Sequence, residues 1–187
     1  GPFLFDMGAS SRFAENACRL GRRLGDVACA AVSHGHHDHG GGLGAFLELN
    51  ARSRIFVAPG AFDVHLARKE DGGYRSIGLD PALLERHRDR FVVVEHDVEA
   101  LPGVWLLGGI RGSHPLPRDT DRFFLPAEGS HRPDGFSHEL IAVMRGDGGI
   151  VVLSGCSHTG ALNALERAER RFPGEPARRF LTAVQDI

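Results

Sequence analysis

The sequence predicts an α/β fold in which helices cover a mixed β-sheet. Strand-like and helix-like segments alternate through the first half of the chain, and two later strands form a hairpin. Polar clusters at 34–39 and 154–160 each follow an apolar strand directly. The 187 residues are enough for a sizeable core, so we expect residues 1–187 to form a single domain.

Apolar runs and the residues that interrupt them define the elements of the first half. Residues 3–5 and 27–32 are typical of short buried strands. A helix over about residues 12–24 is expected to begin at Ser10 or Ser11 and to end at Gly25. The alternation continues with a helix over 43–51, a strand over 55–58 and a helix over 61–70.

The second half combines strands with a long irregular segment. Pro81 begins a short helix, and another helix over 161–171 is expected to face inward with Leu162, Leu165 and Ala168. Residues 108–137 predict a loop of about 30 residues, a length typical of loops that cover active sites. Strands are expected over 91–95, 104–107, 140–144, 150–153 and 180–184.

Composition restricts the partners and the compartment. The net charge is −2, from 22 basic and 24 acidic residues, so no nucleic-acid or membrane partner is expected. Three cysteines without a CxxC pair favour a reducing, cytoplasmic compartment. No apolar run approaches the roughly 18 residues of a membrane span. Because the chain lacks an initial methionine and begins and ends on strand-like runs, we expect it to be truncated at both ends.

A dense cluster of metal-ligand types follows an apolar strand. His34, His36, Asp38 and His39 fall within six residues, and imidazole with carboxylate suits zinc, manganese or iron. In layered α/β folds, ligand sites lie beyond the carboxyl ends of strands, which places His158 beside this cluster. The pattern predicts one or two Zn²⁺ ions, with Mn²⁺ or Fe²⁺ as alternatives, and two ions roughly 3.5–4 Å apart can share one attacking hydroxide.

Two motifs resemble a known family. The run Ser33-His34-Gly35-His36-His37-Asp38-His39-Gly40-Gly41-Gly42-Leu43 carries the HxHxDH signature of the metallo-β-lactamase superfamily. The Gly-Cys-Ser-His core of residues 154–160 resembles a narrower branch, the 7,8-dihydropterin-6-yl-methyl-4-(β-D-ribofuranosyl)aminobenzene 5′-phosphate synthase-like proteins. The resemblance spans almost the whole chain and implies an αββα sandwich, truncated at both ends.

The resemblance implies roles for the matched residues. The ligands of a first zinc ion would be His34, His36 and His158. Asp38 and His39 would hold a second ion, with Asp38 also orienting the attacking hydroxide. Asp6 would fix the ligand loop through hydrogen bonds.

Other positions leave the second ion and the substrate contacts open. The superfamily's remaining ligands lie beyond Ile187, and Asp186 stands near where one of them would fall. His138 replaces an acidic residue of the branch and is interpreted as exposed, as a substrate contact or as an added ligand. In the long loop, His114, with Arg111 and Arg118 nearby, could contact an anionic substrate, although an exposed position is the simpler interpretation for His114.

Two further groups are not expected to act chemically. Cys156 is interpreted as a small buried residue that supports the turn before His158. His65, His87 and His96 are expected at the surface, because their neighbours are those of ordinary helices and strands.

The function expected is that of a zinc-dependent hydrolase that uses a metal-bound hydroxide on an ester or phosphoester of a small molecule. One alternative is a pterin-precursor synthase, which condenses two substrates with loss of a phosphate or diphosphate group. Another is a metal-binding but inactive fragment. The partner is expected to be a small molecule, with an anionic one among the candidates, and the substrate and oligomeric state are left open.

Overall fold

A computed structural model describes residues 1–182 of the chain. The strands are β1 (Phe3–Phe5), β2 (Cys29–Ala31), β3 (Arg54–Val57), β4 (Leu66–Arg68), β5 (Tyr74–Ser76), β6 (Phe91–Val93), β7 (Val98–Leu101), β8 (Val104–Leu107), β9 (Phe123–Ala127), β10 (Ser130–Pro133), β11 (Ile141–Gly146), β12 (Gly149–Ser154) and β13 (Ala177–Thr182). The α-helices are α1 (Arg12–Arg19), α2 (His37–Gly40), α3 (Leu43–Leu49), α4 (Pro81–Arg86) and α5 (Ala161–Arg171). Within residues 1–182, no helix is both long and apolar enough to cross a membrane.

Two sheets face each other at the centre of the molecule. The first has the order β1-β2-β3-β6, with all neighbours parallel. The second has the order β13-β12-β11-β8-β7, and β11 runs antiparallel to both β12 and β8. The inner faces of the two sheets share a core of Cys29, Ala31, Phe56, Leu106, Leu140 and Ala142.

Alternation along each strand sends the other side chains to the outer faces. Ala30 and Ile55 of the first sheet share a buried core with Phe46 of α3. Val143 of the second sheet shares another with Ala168 of α5. The layers are therefore helix, sheet, sheet and helix, which confirms the predicted αββα sandwich.

A third sheet, of order β10-β9-β4-β5, replaces two predicted elements. The prediction of a helix over 61–70 was wrong, because Leu66 and Ala67 pair with Phe124 and Phe123 of β9. The prediction of a single loop over 108–137 was also wrong, since it contains the β9–β10 hairpin, which turns at Gly129 with a φ of 65°. The pairing of β4 with β9 joins segments distant in sequence, so the local pattern around either strand does not reveal it.

Helix α1 ends earlier than the predicted residue 24. Gly21 has a φ of 65°, and its N–H donates to the carbonyl of Cys18. The N–H of Arg22 donates to the carbonyl of Ala17, which completes a glycine-based helix end. Gly21 rather than Gly25 therefore terminates the helix.

Helix α5 has the predicted bounds, but its inward face was partly wrong. Leu162 is 57% exposed, whereas Ala168 is fully buried and Leu165 packs beside it. The strand predicted over 180–184 corresponds to β13, which begins earlier, at Ala177. Residues 183–187, including Asp186, lie outside the described residues.

The parallel first sheet brings the carboxyl ends of β1, β2 and β3 to one edge. The loop after β1 is fixed there, because the N–H of Met7 donates to the carbonyl of His39 at 2.7 Å. The second sheet joins the same edge, because the N–H of Leu140 donates to the carbonyl of Ser33 at 2.6 Å. These two bonds hold both sheets against the polar loop that follows β2.

Asn50 anchors the other end of β2. Its side-chain amide donates to the carbonyls of Leu24 and Val27 at 2.8 and 3.0 Å, and its Oδ1 accepts from the N–H of Ser53 at 2.8 Å. We expect Asn50→Ala to lower the free energy of unfolding by about 2–4 kcal/mol, because buried backbone groups lose their partners. Urea unfolding checks this against Glu48→Ala on the exposed face of α3, for which a change within about 0.5 kcal/mol is expected. Equal stabilities of the two variants would contradict it.

Candidate metal centre

The structure brings His34, His36 and His158 together at the shared sheet edge. His34 and His36 lie in the loop after β2, and His158 lies in the turn after β12. Each offers a ring nitrogen, and these nitrogens lie within 4.8 Å of one another. All three side chains are buried, with exposed fractions of 0–4%. The sheet-edge argument thus placed His158 correctly in space.

The ring nitrogens at this point have the properties of metal ligands. Nε2 of His34, Nε2 of His158 and both nitrogens of His36 are buried without a hydrogen-bond partner among the described residues. Burial lowers the pKa of His34 well below its usual value and that of His158 to about 4, so both rings are neutral at pH 7. Buried polar atoms without partners are costly, and lone pairs that converge on one point fit a bound cation.

Ser33 orients the ring of His34. Its hydroxyl lies 2.9 Å from Nδ1 of His34, which leaves Nε2 as the nitrogen that faces the other two histidines. Gly155 permits this close approach of the two loops. A Cβ at that position would lie 2.8 Å from Cβ of Ser33 and 3.1 Å from Nδ1 of His34.

Asp6 makes the hydrogen bonds expected of it, from a backbone with a φ of 65°. One carboxylate oxygen accepts from the N–H of Ser33 at 2.7 Å, and the other lies 2.7 Å from Nδ1 of His39. The proton of His39 is therefore held at Nδ1, which directs Nε2 toward Asp38. A short polar side chain is among the few that tolerate a left-handed backbone, which suits Asp at this position.

A second group of donor atoms surrounds Nε2 of His39. Oδ2 of Asp38 lies 3.3 Å away, and both carboxylate oxygens of Asp38 are buried without a hydrogen-bond partner among the described residues. Sγ of Cys156 lies 3.1 Å away. Two ligand atoms in a tetrahedral zinc site with bonds of about 2.0–2.1 Å are separated by about 3.3 Å, so these spacings suit a cation. Cys156 is half-buried rather than buried, and its sulfur faces the site.

The charge on His39 differs from that of the first three histidines. Burial alone would lower its pKa, but the close carboxylate of Asp38 and the hydrogen bonds to Asp6 and Cys156 outweigh burial and raise the pKa to about 12. His39 is therefore an imidazolium at neutral pH when no metal is bound. A cation at this position must displace the proton on Nε2.

The sequence analysis missed a buried cluster behind His36. His65 is 1% exposed, so its expected surface position was wrong. His138 is 2% exposed, which corrects its interpretation as an exposed residue. Both histidines contact one carboxylate oxygen of Asp134, at 3.2 and 3.1 Å. The side chain of Asp134 is itself buried.

The hydrogen bonds of this cluster hold the ligand loop in position. The N–H of Gly35 donates to Nδ1 of His138 at 2.9 Å, so the proton of His138 lies on Nε2 and points to Asp134. His65 bonds the carbonyl of Gly60 through Nε2 at 3.0 Å and faces Asp134 through Nδ1, so both nitrogens act as donors. Burial alone would raise the pKa of Asp134, but the bonds from His138 and His65 hold it far below its usual range. His138 thus holds Gly35 between two candidate ligands and has no lone pair left for a metal.

Glu139 and Phe136 position His158. Glu139 accepts from the N–H groups of His158 and Thr159 at 2.9 and 3.0 Å and from the hydroxyl of Thr159. Phe136 stacks on the ring of His158, with centroids 4.7 Å apart and planes 16° apart. Phe136 does so from a φ of 51°, and its N–H is held by Asp134 at 2.7 Å. Such strain in a bulky residue is found where the surrounding structure fixes a site.

The remaining histidines considered in the sequence analysis are not among the clustered donor atoms. His114 is exposed, while its backbone is bonded to Asn163 of α5. His87 is half-buried and His96 is exposed. The sequence contains no local signal that separates these three from His65, because burial of His65 depends on the pairing of β4 with β9.

The fold and the clustered histidines and aspartates define the class to which the chain is similar. The crystal structure of a metal-dependent hydrolase of the β-lactamase superfamily matches 96% of this chain with a TM-score of 0.76 and 29% sequence identity, and the chain covers 65% of it. A quorum-quenching N-acyl homoserine lactone lactonase matches 97% of this chain with a TM-score of 0.58 and 20% identity, with 74% of its own chain covered. The chain has the metallo-β-lactamase fold, and the resemblance inferred from the motifs is confirmed. The first of these structural neighbours is named as a metal-dependent hydrolase, and the second as a lactonase.

Two curated relatives come from Methanocaldococcus jannaschii. A 7,8-dihydropterin-6-methyl-4-(β-D-ribofuranosyl)-aminobenzene-5′-phosphate synthase is 27% identical over 145 residues, which are 73% of this chain and 49% of the relative. An uncharacterized protein is 24% identical over 173 residues, 89% of this chain and 62% of the relative. The chain thus spans about half to two thirds of the length of these relatives. No protein-family model matches the sequence.

The support by Asp134 predicts a loss of metal affinity on substitution. We expect Asp134→Asn to weaken metal binding by about 10–100-fold, because the carboxylate that orders His138 and His65 is lost while its shape is kept. Chelator competition measures the affinity. Asp147→Asn, in the exposed β11–β12 turn, is the control and should bind metal as the unchanged protein does. Unaltered affinity in Asp134→Asn would remove this residue from the support of the site.

The different charges of the histidines predict two pH dependences. His34 and His158 are already neutral above about pH 6.5, so affinity for an ion on the first set should vary little between pH 6.5 and 8. An ion bound by Asp38 and His39 must displace the proton of His39, whose pKa is raised to about 12. Its affinity should therefore rise about tenfold per pH unit. Metal titrations at several pH values test this. If the affinities of the two ions changed equally with pH, the assignment of a positive charge to His39 and of neutral rings to His34 and His158 would be refuted.

Proposed function

We propose that the protein is a zinc-dependent hydrolase that acts on an ester or phosphoester of a small molecule. The observation that carries the proposal is the convergence of bare, neutral ring nitrogens from His34, His36 and His158. An imidazole set with a nearby carboxylate is a ligand chemistry that zinc favours, with Mn²⁺ and Fe²⁺ as weaker candidates. The structural neighbour with 29% identity supports the hydrolase class, because it is named as a metal-dependent hydrolase.

The residues of the site would have separate roles in hydrolysis. The three histidines would hold a zinc ion, and Asp38 and His39 would flank it. When bound, zinc polarises the reacting carbonyl or phosphoryl group and lowers the pKa of water to about 7. Asp38 has two carboxylate oxygens without hydrogen-bond partners among the described residues, so it can accept a proton from the attacking water and orient that water.

The apolar side chains beside the site would strengthen this chemistry. Phe123 and Phe136 flank His158, with ring centroids 4.9 and 4.7 Å from the imidazole. They exclude water from one side, which increases the effect of charges on the reacting group. Glu139 keeps the His158 turn in place without reaching the reacting atoms itself.

A second candidate function is the condensation carried out by the curated synthase relative. Of the two curated relatives, this one is named for a reaction, and its match covers 73% of this chain. In such a reaction the same ions would bind a phosphate or diphosphate leaving group. Hydrolysis ranks first here because the crystal-structure neighbour with the higher TM-score is a metal-dependent hydrolase. The small-molecule partner and the cytoplasmic location stay predictions.

A single substitution tests the proposed function. We expect the zinc-loaded protein to hydrolyse at least one member of a panel of p-nitrophenyl phosphodiesters and lactones. His158→Ala should lower the bound zinc below half of the unchanged protein and reduce the rate at least 100-fold, because one ligand of the first set is lost. Elemental analysis measures the bound metal. Turnover is measured by the release of p-nitrophenol from the phosphodiesters and by the release of protons from the lactones, which a pH indicator detects.

The matched control is His131→Ala. His131 is exposed on β10 and stacks on Tyr74, with centroids 4.0 Å apart. It should retain both metal and activity. Full metal content in His158→Ala would disprove the ligand assignment, whereas a zinc-loaded protein inactive on the whole panel would overturn hydrolysis in favour of the synthase reaction.

A further inference from the structure

We propose that a cavity beside His158 binds a phosphate group of the substrate through Arg111 and His114. The inference rests on the proposed function, because it places this group next to the candidate metal centre. The cavity has a volume of about 560 Å³. Its wall includes Thr159 and Phe136, the neighbours of His158 in sequence and in stacking.

The charge of the cavity wall is one-sided. Arg111 and His114 are the ionisable side chains that line it, and no carboxylate of the described residues belongs to the wall. Within residues 1–182, the guanidinium of Arg111 makes neither an ion pair nor a hydrogen bond. The neighbouring cavity differs, because its Asp97 is paired with Arg167 and Arg171. Arg111 is therefore available to a ligand in a way that the other two arginines are not.

The loop that carries Arg111 and His114 is fixed by backbone contacts. Asn163 of α5 is 2% exposed; its amide donates to the carbonyl of His114 at 2.9 Å and its Oδ1 accepts from the N–H of His114 at 2.9 Å. The same amide donates to the carbonyl of Thr159 at 2.7 Å, so one side chain joins the loop to the His158 turn. Gly112 fits tightly, since a Cβ there would lie 3.0 Å from Cγ of Asn163. Ordering of the loop lowers the entropy lost when a ligand binds.

The backbone of this loop adds donors that suit phosphate. In the described part of the chain, none of the N–H groups from Gly109 to Gly112, which line the cavity, donates a hydrogen bond to protein. Two of these four residues are glycines, which allow a ligand to approach the backbone closely. Successive free N–H groups next to a guanidinium form the kind of site that binds phosphate oxygens. The chemistry therefore favours a phosphate over a neutral polar group.

Titration calorimetry with inorganic phosphate tests the cavity in the metal-loaded protein. We expect Arg111→Gln to weaken phosphate binding at least tenfold and His114→Gln to weaken it at least threefold. Neither change removes a contact that fixes the loop, because Asn163 holds the backbone of His114 and Arg170 holds the backbone carbonyl of Arg111. Arg118→Gln is the matched control: Arg118 is exposed in the same segment but does not line the cavity, and a change below twofold is expected.

Metal content is measured in every variant, so that weaker phosphate binding caused by loss of metal is distinguished from weaker binding caused by the changed cavity wall. Weaker phosphate binding at unchanged metal content supports the cavity site. Equal affinity in Arg111→Gln and the unchanged protein, or an equal loss in Arg118→Gln, overturns it. Failure of the proposed hydrolysis is a separate result, because it is seen in turnover and leaves the calorimetric comparison intact.

Discussion

Three neutral imidazoles direct unpaired lone pairs at one buried point, and this arrangement is unfavourable unless a cation occupies it. The surrounding structure must therefore hold His34, His36 and His158 in an arrangement that leaves these nitrogens without partners. Burial, and then the repulsion that neighbouring histidines would exert on a protonated ring, lower the pKa of His34 and His36 and keep both rings neutral. Binding of a cation removes the conflict and couples metal affinity to the stability of the folded state. The close contacts at the sheet edge follow from this requirement, since each of them limits the movement of one ligand loop.

Two carboxylates hold the loop after β2 from opposite sides. Asp6 bonds the N–H of Ser33 and the ring of His39, and Asp134 acts through His138 on the N–H of Gly35. Each carboxylate is buried or nearly so and is in hydrogen-bond contact with at least one histidine ring, so neither is left without a partner in the interior. The two networks fix the backbone before and after His34. They explain why the ligand loop can be rigid although it contains little regular structure.

The sequence predicted the parts of this site that are encoded locally. His34, His36, Asp38 and His39 stand in one short loop after a strand, and His158 follows another strand, so periodicity and strand-edge geometry were sufficient. The support from His65 and Asp134 was not predictable in this way. It depends on β4 pairing with β9, which the local pattern around Leu66 gives no sign of and which brings together residues distant in sequence. The layered fold was predictable from the sequence, because the alternating apolar runs that determine it can be identified locally.

The two groups of donor atoms are not independent. The hydroxyl of Ser33 lies 2.9 Å from Nδ1 of His34 and 3.4 Å from Nδ1 of His39, so one side chain contacts a ligand of each group. A cation near Asp38 and Cys156 would replace the proton on Nε2 of His39, so positive charge would remain beside His34, where His39 already contributes to lowering the pKa. A second cation beside the first therefore needs compensating negative charge. The buried carboxylate of Asp38, which lies 3.3 Å from Nε2 of His39, is the group placed to supply that charge, and under the proposed function it also accepts a proton from water.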